Sequence, residues 1–262
     1  MFPVFPPERR AGLLVALYDS LDVLIRPLAI DEMGMSGRPE CIPKMLELAE
    51  NETTPGFTRV KAIEALGRLR GTAAAPLLIR IMDARQLWRW QYPEELRLVS
   101  AQALMRIDAN TGLDKLAPCG FDRKDLVLEP TDPDPNVSVI RQRRYARLRL
   151  GRNLIATTLN MRDNFRLSIP ELNLGGGVGT GERHLAPGSL LSLKIAAGVR
   201  HIKAQAIVRG ARPQAMAFEF VEMDLEDRGR LRKLLMELGG LPLAAQATNR
   251  TRRRGRMAFT KN

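Results

Sequence analysis

The chain has 262 residues, with 41 Lys and Arg against 29 Asp and Glu, two Cys and two His. The sequence contains no run of 18 apolar residues, so no membrane-spanning helix is expected. The two Cys and two His do not have the spacing of metal ligands, which argues against a structural zinc site, and their small number argues against a Cys–His or Ser–His–Asp catalytic centre. We therefore expect a cytoplasmic protein of one large or two ordinary domains that is not an enzyme and holds no cofactor or metal.

The charge is divided unevenly along the chain. Residues 1–136 hold 17 Lys and Arg against 20 Asp and Glu, whereas residues 137–262 hold 24 against 9. The second half therefore favours an anionic ligand or partner.

The first half is predicted to be helical and repetitive. Val60, Ile63 and Leu66 follow helical spacing, and the pattern Ala-Leu-x-x-apolar at residues 65–69 returns at residues 103–107, an offset of 38. Paired helices at this period resemble HEAT-type repeats over roughly residues 38–118, preceded by a capping helix. Such repeats imply either a concave surface for a protein partner or a small helical domain that only packs on its neighbour.

Three large aromatics, Trp88, Trp90 and Tyr92, fall in the predicted loop between two repeats. They suit either an anchor for a partner or a plug at a domain joint, and we favour the plug.

The predicted joint is rich in proline and aspartate. Pro130, Pro133 and Pro135 alternate with Asp132 and Asp134, which indicates a short, stiff linker. The predicted organisation is a helical repeat domain at residues 1–129, a linker at 130–138, a β-barrel domain at 139–240 and a basic disordered tail at 241–262.

After the joint, five or six short stretches with alternating or β-branched residues are separated by Gly or Pro turns. An amphipathic helix over residues 224–238, with Leu231, Leu234 and Leu235 on its apolar face, ends the ordered part. The fold class is therefore a multidomain α + β protein with HEAT-like helices, a small antiparallel barrel and a C-terminal helix.

A glycine-rich stretch, ELNLGGGVGTG, spans residues 171–181. It has neither the spacing of a dinucleotide-binding fingerprint nor the Lys of a P-loop, and a turn and a strand rather than a helix are predicted to follow. We expect its glycines to allow the close approach of two strands and of a ligand or partner on one face of the barrel.

The second half resembles a PilZ domain over about residues 139–238. The Arg-x-x-x-Arg signature of that family corresponds to Arg143 and Arg147, and the last strands and helix are also similar. The second signature, Asp/Asn-x-Ser-x-x-Gly, corresponds to Glu171, Asn173 and Gly176, with two of its three positions changed.

The resemblance implies a six-stranded antiparallel barrel that binds cyclic di-GMP. Arginine suits that ligand because its guanidinium binds phosphate or a guanine edge in bidentate fashion and stacks on bases. We expect Arg143 and Arg147 to bind it, Arg141 and Arg144 to add positive charge, and Glu171, Asn173 and Gly176 to form the second contact. The longer Glu171 weakens or removes binding unless the site compensates.

Three functions remain open from the sequence. The first is a cyclic di-GMP receptor that signals through the helical repeats to a protein partner, in control of motility or exopolysaccharide. The second is an adaptor with a PilZ fold that binds no nucleotide. The third, nucleic-acid binding through the basic half and its tail, is disfavoured because few aromatics flank the arginines.

Overall fold

The computed structural model describes residues 7–134, 142–159, 164–183, 185–212 and 215–238, without the side chains of residues 7–11 and 20. The chain forms two compact units. The first contains residues 1–144 and 221–229, and the second contains residues 145–220 and 230–262. Residues 135–138 of the predicted linker and all of the predicted tail lie outside the described part, and the predicted domain limits stay predictions.

The first unit is helical, as predicted. Prolines in the first turns of several helices fit there because the first turn needs no amide donor, and Asp108 caps the last helix of the unit by accepting from the amides of Asn110 and Thr111 at 3.1 and 3.2 Å. The helices are α1 (Pro7–Ser20), α2 (Arg26–Met35), α3 (Ile42–Glu50), α4 (Gly56–Arg68), α5 (Ala75–Asp83), α6 (Glu94–Ile107) and α7 (Ala109–Leu116).

Helices α2, α4 and α6 pack in that order, with α3 against α4 and α5 against α6. Their contact depends on small residues. A Cβ on Gly34 would lie 2.9 Å from the Cβ of Ala65, and one on Gly67 would lie 3.0 Å from the Cα of Ala103. The Ala-Leu repeat seen in the sequence is thus the seam along which successive repeats stack.

A two-stranded hairpin separates α5 from α6. It is formed by β1 (Arg85–Gln86) and β2 (Arg89–Trp90). Trp90 and Tyr92 are partly buried within the helical unit, but Trp88 is 97% exposed, which contradicts a buried plug at that position.

The second unit contains the predicted barrel of six antiparallel strands. They close in the order β3-β4-β5-β8-β7-β6. Alternate residues point inward, so Leu148, Leu150, Leu167 and Ile169 are buried while their neighbours face out. The strands are β3 (Leu148–Thr158), β4 (Arg166–Asn173), β5 (Gly176–Gly181), β6 (Leu190–Ala197), β7 (Arg200–Arg212) and β8 (Ala215–Glu222).

The last helix, α8 (Leu225–Glu237), follows the barrel. Leu231, Leu234 and Leu235 are buried, so the predicted apolar face is confirmed. Of the helices that the structure describes, none combines the length and the hydrophobicity needed to cross a bilayer.

Candidate ligand site

Arg147 and Glu171 form an ion pair at one end of the barrel. Arg147 immediately precedes β3, and residues 148 and 149 pair with residues 172 and 171 of β4. This register brings the Arg147 Nη1 atom to 3.2 Å from the Glu171 Oε2 atom. Their side chains keep 37% and 24% of their accessible surface, so this pair remains open to solvent.

Asn173 joins the other side of this end of the barrel. Its side-chain oxygen accepts a hydrogen bond from the Gly175 amide at 2.9 Å, and its side-chain nitrogen donates to the Tyr145 carbonyl at 3.5 Å. Because Tyr145 lies two residues before Arg147, Asn173 holds the chain that leads into β3 against the turn between β4 and β5.

The glycines of that turn allow close packing inside the barrel. A Cβ on Gly175 would lie 2.6 Å from the Tyr145 ring, and one on Gly176 would lie 2.2 Å from the Phe218 carbonyl oxygen. Gly176 also has a φ of 151°, a backbone conformation that residues with a side chain rarely adopt. Its requirement for glycine therefore comes from the approach of β5 to β8.

Two further arginines of the predicted site, Arg143 and Arg144, belong to the first unit. Arg143 is exposed, and its carbonyl accepts a hydrogen bond from the Thr131 hydroxyl. Arg144 pairs through its guanidinium with Glu32 of α2. Arg141 lies outside the described residues. The structure thus brings Arg147, Glu171, Asn173 and Gly176 together, while Arg144 is engaged with the helices.

A buried charge cluster in the first unit escaped the sequence analysis. Asp31 of α2 accepts from Lys61 Nζ at 2.7 Å and from Arg68 Nη1 at 2.9 Å, and all three side chains are at most 1% exposed. Burial opposes ionisation of Asp31, but the charges of Lys61, Arg68 and Arg144 outweigh it and lower its pKa to about 2. In the sequence, Lys61 and Arg68 resemble the solvated residues of an ordinary amphipathic helix.

The cluster also orders the chain that leads to the barrel. Arg68 donates to the carbonyls of Thr131 and Arg144 at 3.3 and 3.2 Å, and the Thr131 amide donates to the Arg144 carbonyl at 2.9 Å. The backbone of Arg143 and Arg144 is therefore held on the helical unit by these bonds and by the Thr131 hydroxyl.

No group of three His, Cys, Asp or Glu that could hold a metal ion occurs in the described ranges. The arrangement at the end of the barrel consists of one solvent-accessible guanidinium, which can bind an anion, one amide, and a carboxylate, which can accept from N–H groups but repels an anion.

A family model for HEAT repeats matches residues 11–91. The predicted helical repeats are thereby confirmed, and the match begins earlier than residue 38, within the segment that the sequence assigned to a capping helix. A search of curated proteins finds no match.

The structure is also similar to solved PilZ domains. The PilZ domain of YcgR from Escherichia coli, solved with c-di-GMP, matches with 16% identity and a TM-score of 0.34, covering 38% of this chain and 92% of that one. The PilZ domain of CeSA from a cellulose-synthesizing bacterium matches with 12% identity and a TM-score of 0.30, covering 36% and 97%. The inhibitor of motility MotI/DgrA from Bacillus subtilis matches with 20% identity and a TM-score of 0.32, covering 40% and 56%.

Proposed function

We propose that this protein is a non-enzymatic cytoplasmic receptor for cyclic di-GMP that signals through its helical repeats to a protein partner. The observation that carries the proposal is the contact between the two segments that resemble the PilZ signatures. Arg147 lies 3.2 Å from Glu171, and Asn173 contacts the backbone at Tyr145. Two segments that are more than 20 residues apart in sequence thus meet at one solvent-accessible end of the barrel.

The chemistry of the ligand fits these groups. An arginine guanidinium can bind a phosphate or the O6 and N7 atoms of guanine with two parallel hydrogen bonds. Arg147 is accessible for such contacts once it leaves Glu171, and Arg143 is exposed on the chain that precedes it. In this proposal the ligand replaces the Glu171 carboxylate as the partner of Arg147, and Asn173 contributes amide contacts to a guanine edge.

The anchored backbone at Arg143 and Arg144 supports a route for the signal. Arg68 and Thr131 hold this backbone on the helical unit. A ligand that binds Arg143 would act on a segment whose position the helices already fix, and binding could shift the population of conformations that the repeats present.

The test is isothermal titration of the full chain with cyclic di-GMP and, separately, cyclic di-AMP. We expect binding of the guanine dinucleotide only, and its loss in the Arg143→Ala/Arg147→Ala variant. Arg152→Ala serves as the matched control because Arg152 is another exposed arginine, on β3. Binding that survives in the double variant, or that does not distinguish the two dinucleotides, would contradict the proposal.

A second candidate function is an adaptor that binds no nucleotide. The ion pair of Arg147 with Glu171 favours it, because the carboxylate both occupies the guanidinium and repels an incoming phosphate. The adaptor predicts no heat of binding for the natural chain, and none for Glu171→Gln, in which Arg147 is released.

A further inference from the structure

The hairpin between α5 and α6 presents two large apolar side chains to solvent. Its strands pair Arg85 with Trp90 and Gln86 with Arg89, which leaves Leu87 and Trp88 as the two-residue turn. Leu87 is 89% exposed and Trp88 is 97% exposed. We call these two residues the hairpin tip.

The residue types of the hairpin tip are not those that the turn conformation favours. Leu87 has a φ of 58°, in the left-handed region where two-residue hairpin turns ordinarily use Gly, Asn or Asp. Leucine at this position strains the backbone, and neither tip residue gains burial in return. The pair is therefore unfavourable for folding and suits a contact outside the chain.

The base of the hairpin holds the tip in place. The guanidinium groups of Arg85 and Arg97 each lie 4.0 Å from the centre of the Trp90 ring. Arg97 donates to the Cys119 carbonyl at 2.9 Å, and the Gln91 amide donates to the Ala84 carbonyl at 3.0 Å. Little conformational freedom is left to lose when the tip binds, which favours binding.

The charge around the tip indicates what it contacts. Residues 84–93 contain two arginines, Arg85 and Arg89, both exposed. Of the acidic residues on either side, Asp83 is ion-paired with Lys115 and Glu94 is exposed. Tryptophan is enriched at the interface between lipid and water, and arginine is attracted to anionic headgroups. A protruding tip can enter that interface without a complementary pocket, whereas a protein partner would have to provide an apolar pocket with an acidic rim.

We propose that the hairpin tip inserts into the interfacial region of an anionic lipid bilayer and attaches the protein to the membrane surface reversibly. The inserted apolar surface is small, so the attachment is weak and depends on the arginines. It is therefore sensitive to salt, because the electrostatic attraction is screened. This inference is independent of cyclic di-GMP binding.

The test is co-sedimentation of the full chain with vesicles of equal parts phosphatidylglycerol and phosphatidylcholine, compared with phosphatidylcholine alone, at low salt. We expect binding to the anionic vesicles only. Trp88→Ser should weaken vesicle binding about tenfold, since the indole that would be buried in the lipid is lost, and Arg89→Ser should weaken it about fivefold. Val199→Ser and Arg123→Ser, at an exposed turn of the barrel and an exposed site of the helical unit, should bind as the natural chain does.

A second variant separates lipid contact from folding. Leu87→Asn places a residue that tolerates the left-handed backbone at the strained position, so the melting temperature should rise while vesicle binding falls. If the variant lost binding because it misfolded, its melting temperature would fall together with its vesicle binding.

Two results would overturn the proposal: no binding of the natural chain, or equal binding of Trp88→Ser. If binding is unchanged in Trp88→Ser but lost when residues 246–262 are removed, the lipid contact belongs to the arginine-rich tail, which holds five Arg and one Lys.

Discussion

At the scale of single residues, the distinguishing feature of the candidate ligand site is Glu171, which stands where the PilZ signature has the shorter Asp or Asn. Glu171 reaches Arg147 from the neighbouring strand at 3.2 Å. The pair is partly exposed, so its own contribution to stability is small. In the proposed function its importance is for binding, because cyclic di-GMP would have to compete with Glu171 for Arg147.

Restoring the first residue of the resembled signature should therefore tighten binding of cyclic di-GMP. In Glu171→Asp the shorter carboxylate releases Arg147 and can meet the guanine edge, and we expect a gain of roughly tenfold in affinity. Isothermal titration measures it. Glu182→Asp, the same change at an exposed acidic residue of the second unit, should leave the affinity unchanged, and an affinity that falls in Glu171→Asp would contradict this role for Glu171.

The buried Asp31 makes stability depend on acid. Its pKa is about 2 in the folded chain, against 3.8 ordinarily, so its stabilising ionisation is fully present above pH 4 and is lost as the pH falls toward 2. Asp31→Asn leaves Lys61 and Arg68 buried without their carboxylate and should cost about 3–5 kcal/mol at neutral pH.

Denaturant unfolding of both chains between pH 7 and pH 3 tests this dependence. The difference in free energy of unfolding between the natural chain and Asp31→Asn should shrink below pH 4. Asp19→Asn, at a largely exposed carboxylate, provides the comparison. A difference that stays constant with pH would show that Asp31 does not titrate in this range.

At the scale of elements, glycine decides how β5 joins the barrel. Residues 176–179 pair with residues 219–216 of β8, and this ladder brings Gly176 against the Phe218 carbonyl. In the glycine-rich stretch at residues 171–181, close packing thus requires glycine at Gly175 and Gly176. Gly179 in the same strand has room for a side chain, because a Cβ there would lie 3.6 Å from the nearest atom, on Leu167.

We therefore expect Gly176→Ala to destabilise the protein by about 3 kcal/mol, from backbone strain and overpacking together. Gly179→Ala, the matched control, should change the free energy of unfolding by much less. Thermal or denaturant unfolding compares the two. If both variants were equally stable, the strand packing at Gly176 would not be the reason for its glycine.

At the scale of the whole molecule, the first compact unit is assembled from two separate parts of the chain. Residues 221–229, which run from the end of β8 into the start of α8, belong with the helices. Arg228 is fully buried there, ion-paired with Glu64 of α4 and, at 2.9 Å, with Glu95 of α6. Two buried carboxylates of the helical repeats thus share one guanidinium, which belongs to a residue that follows the barrel in sequence.

A fragment of residues 1–144 should for this reason be less stable than its helices suggest. Without Arg228, Glu64 and Glu95 are left buried without their cation, at a cost of about 3–5 kcal/mol. Replacing both carboxylates, in Glu64→Gln/Glu95→Gln, should raise the melting temperature of the fragment but lower that of the full chain. Circular dichroism measures both, and a rise in the full chain as well would contradict the role of Arg228.

The sequence by itself determined the elements that rest on local periodicity and turn residues. Helical spacing and the 38-residue recurrence predicted the stacked helices. Short alternating segments between Gly or Pro turns predicted five or six strands, and the apolar face of Leu231, Leu234 and Leu235 predicted the closing helix. The two arginines and the glycine-rich segment could be singled out because their residue types repeat the order of a known signature.

Only the tertiary structure decided which charges meet. Asp31 with Lys61 and Arg68, Arg228 with Glu64 and Glu95, and Arg147 with Glu171 are pairs separated by 24 to 164 residues. Periodicity places a charged side chain on a face of a helix or strand, but whether that face is buried, and which opposite charge lies across from it, depends on how distant segments pack. The pairing of Glu171 with Arg147 is of this kind, and for that reason this ion pair at the candidate site became visible only in the folded chain.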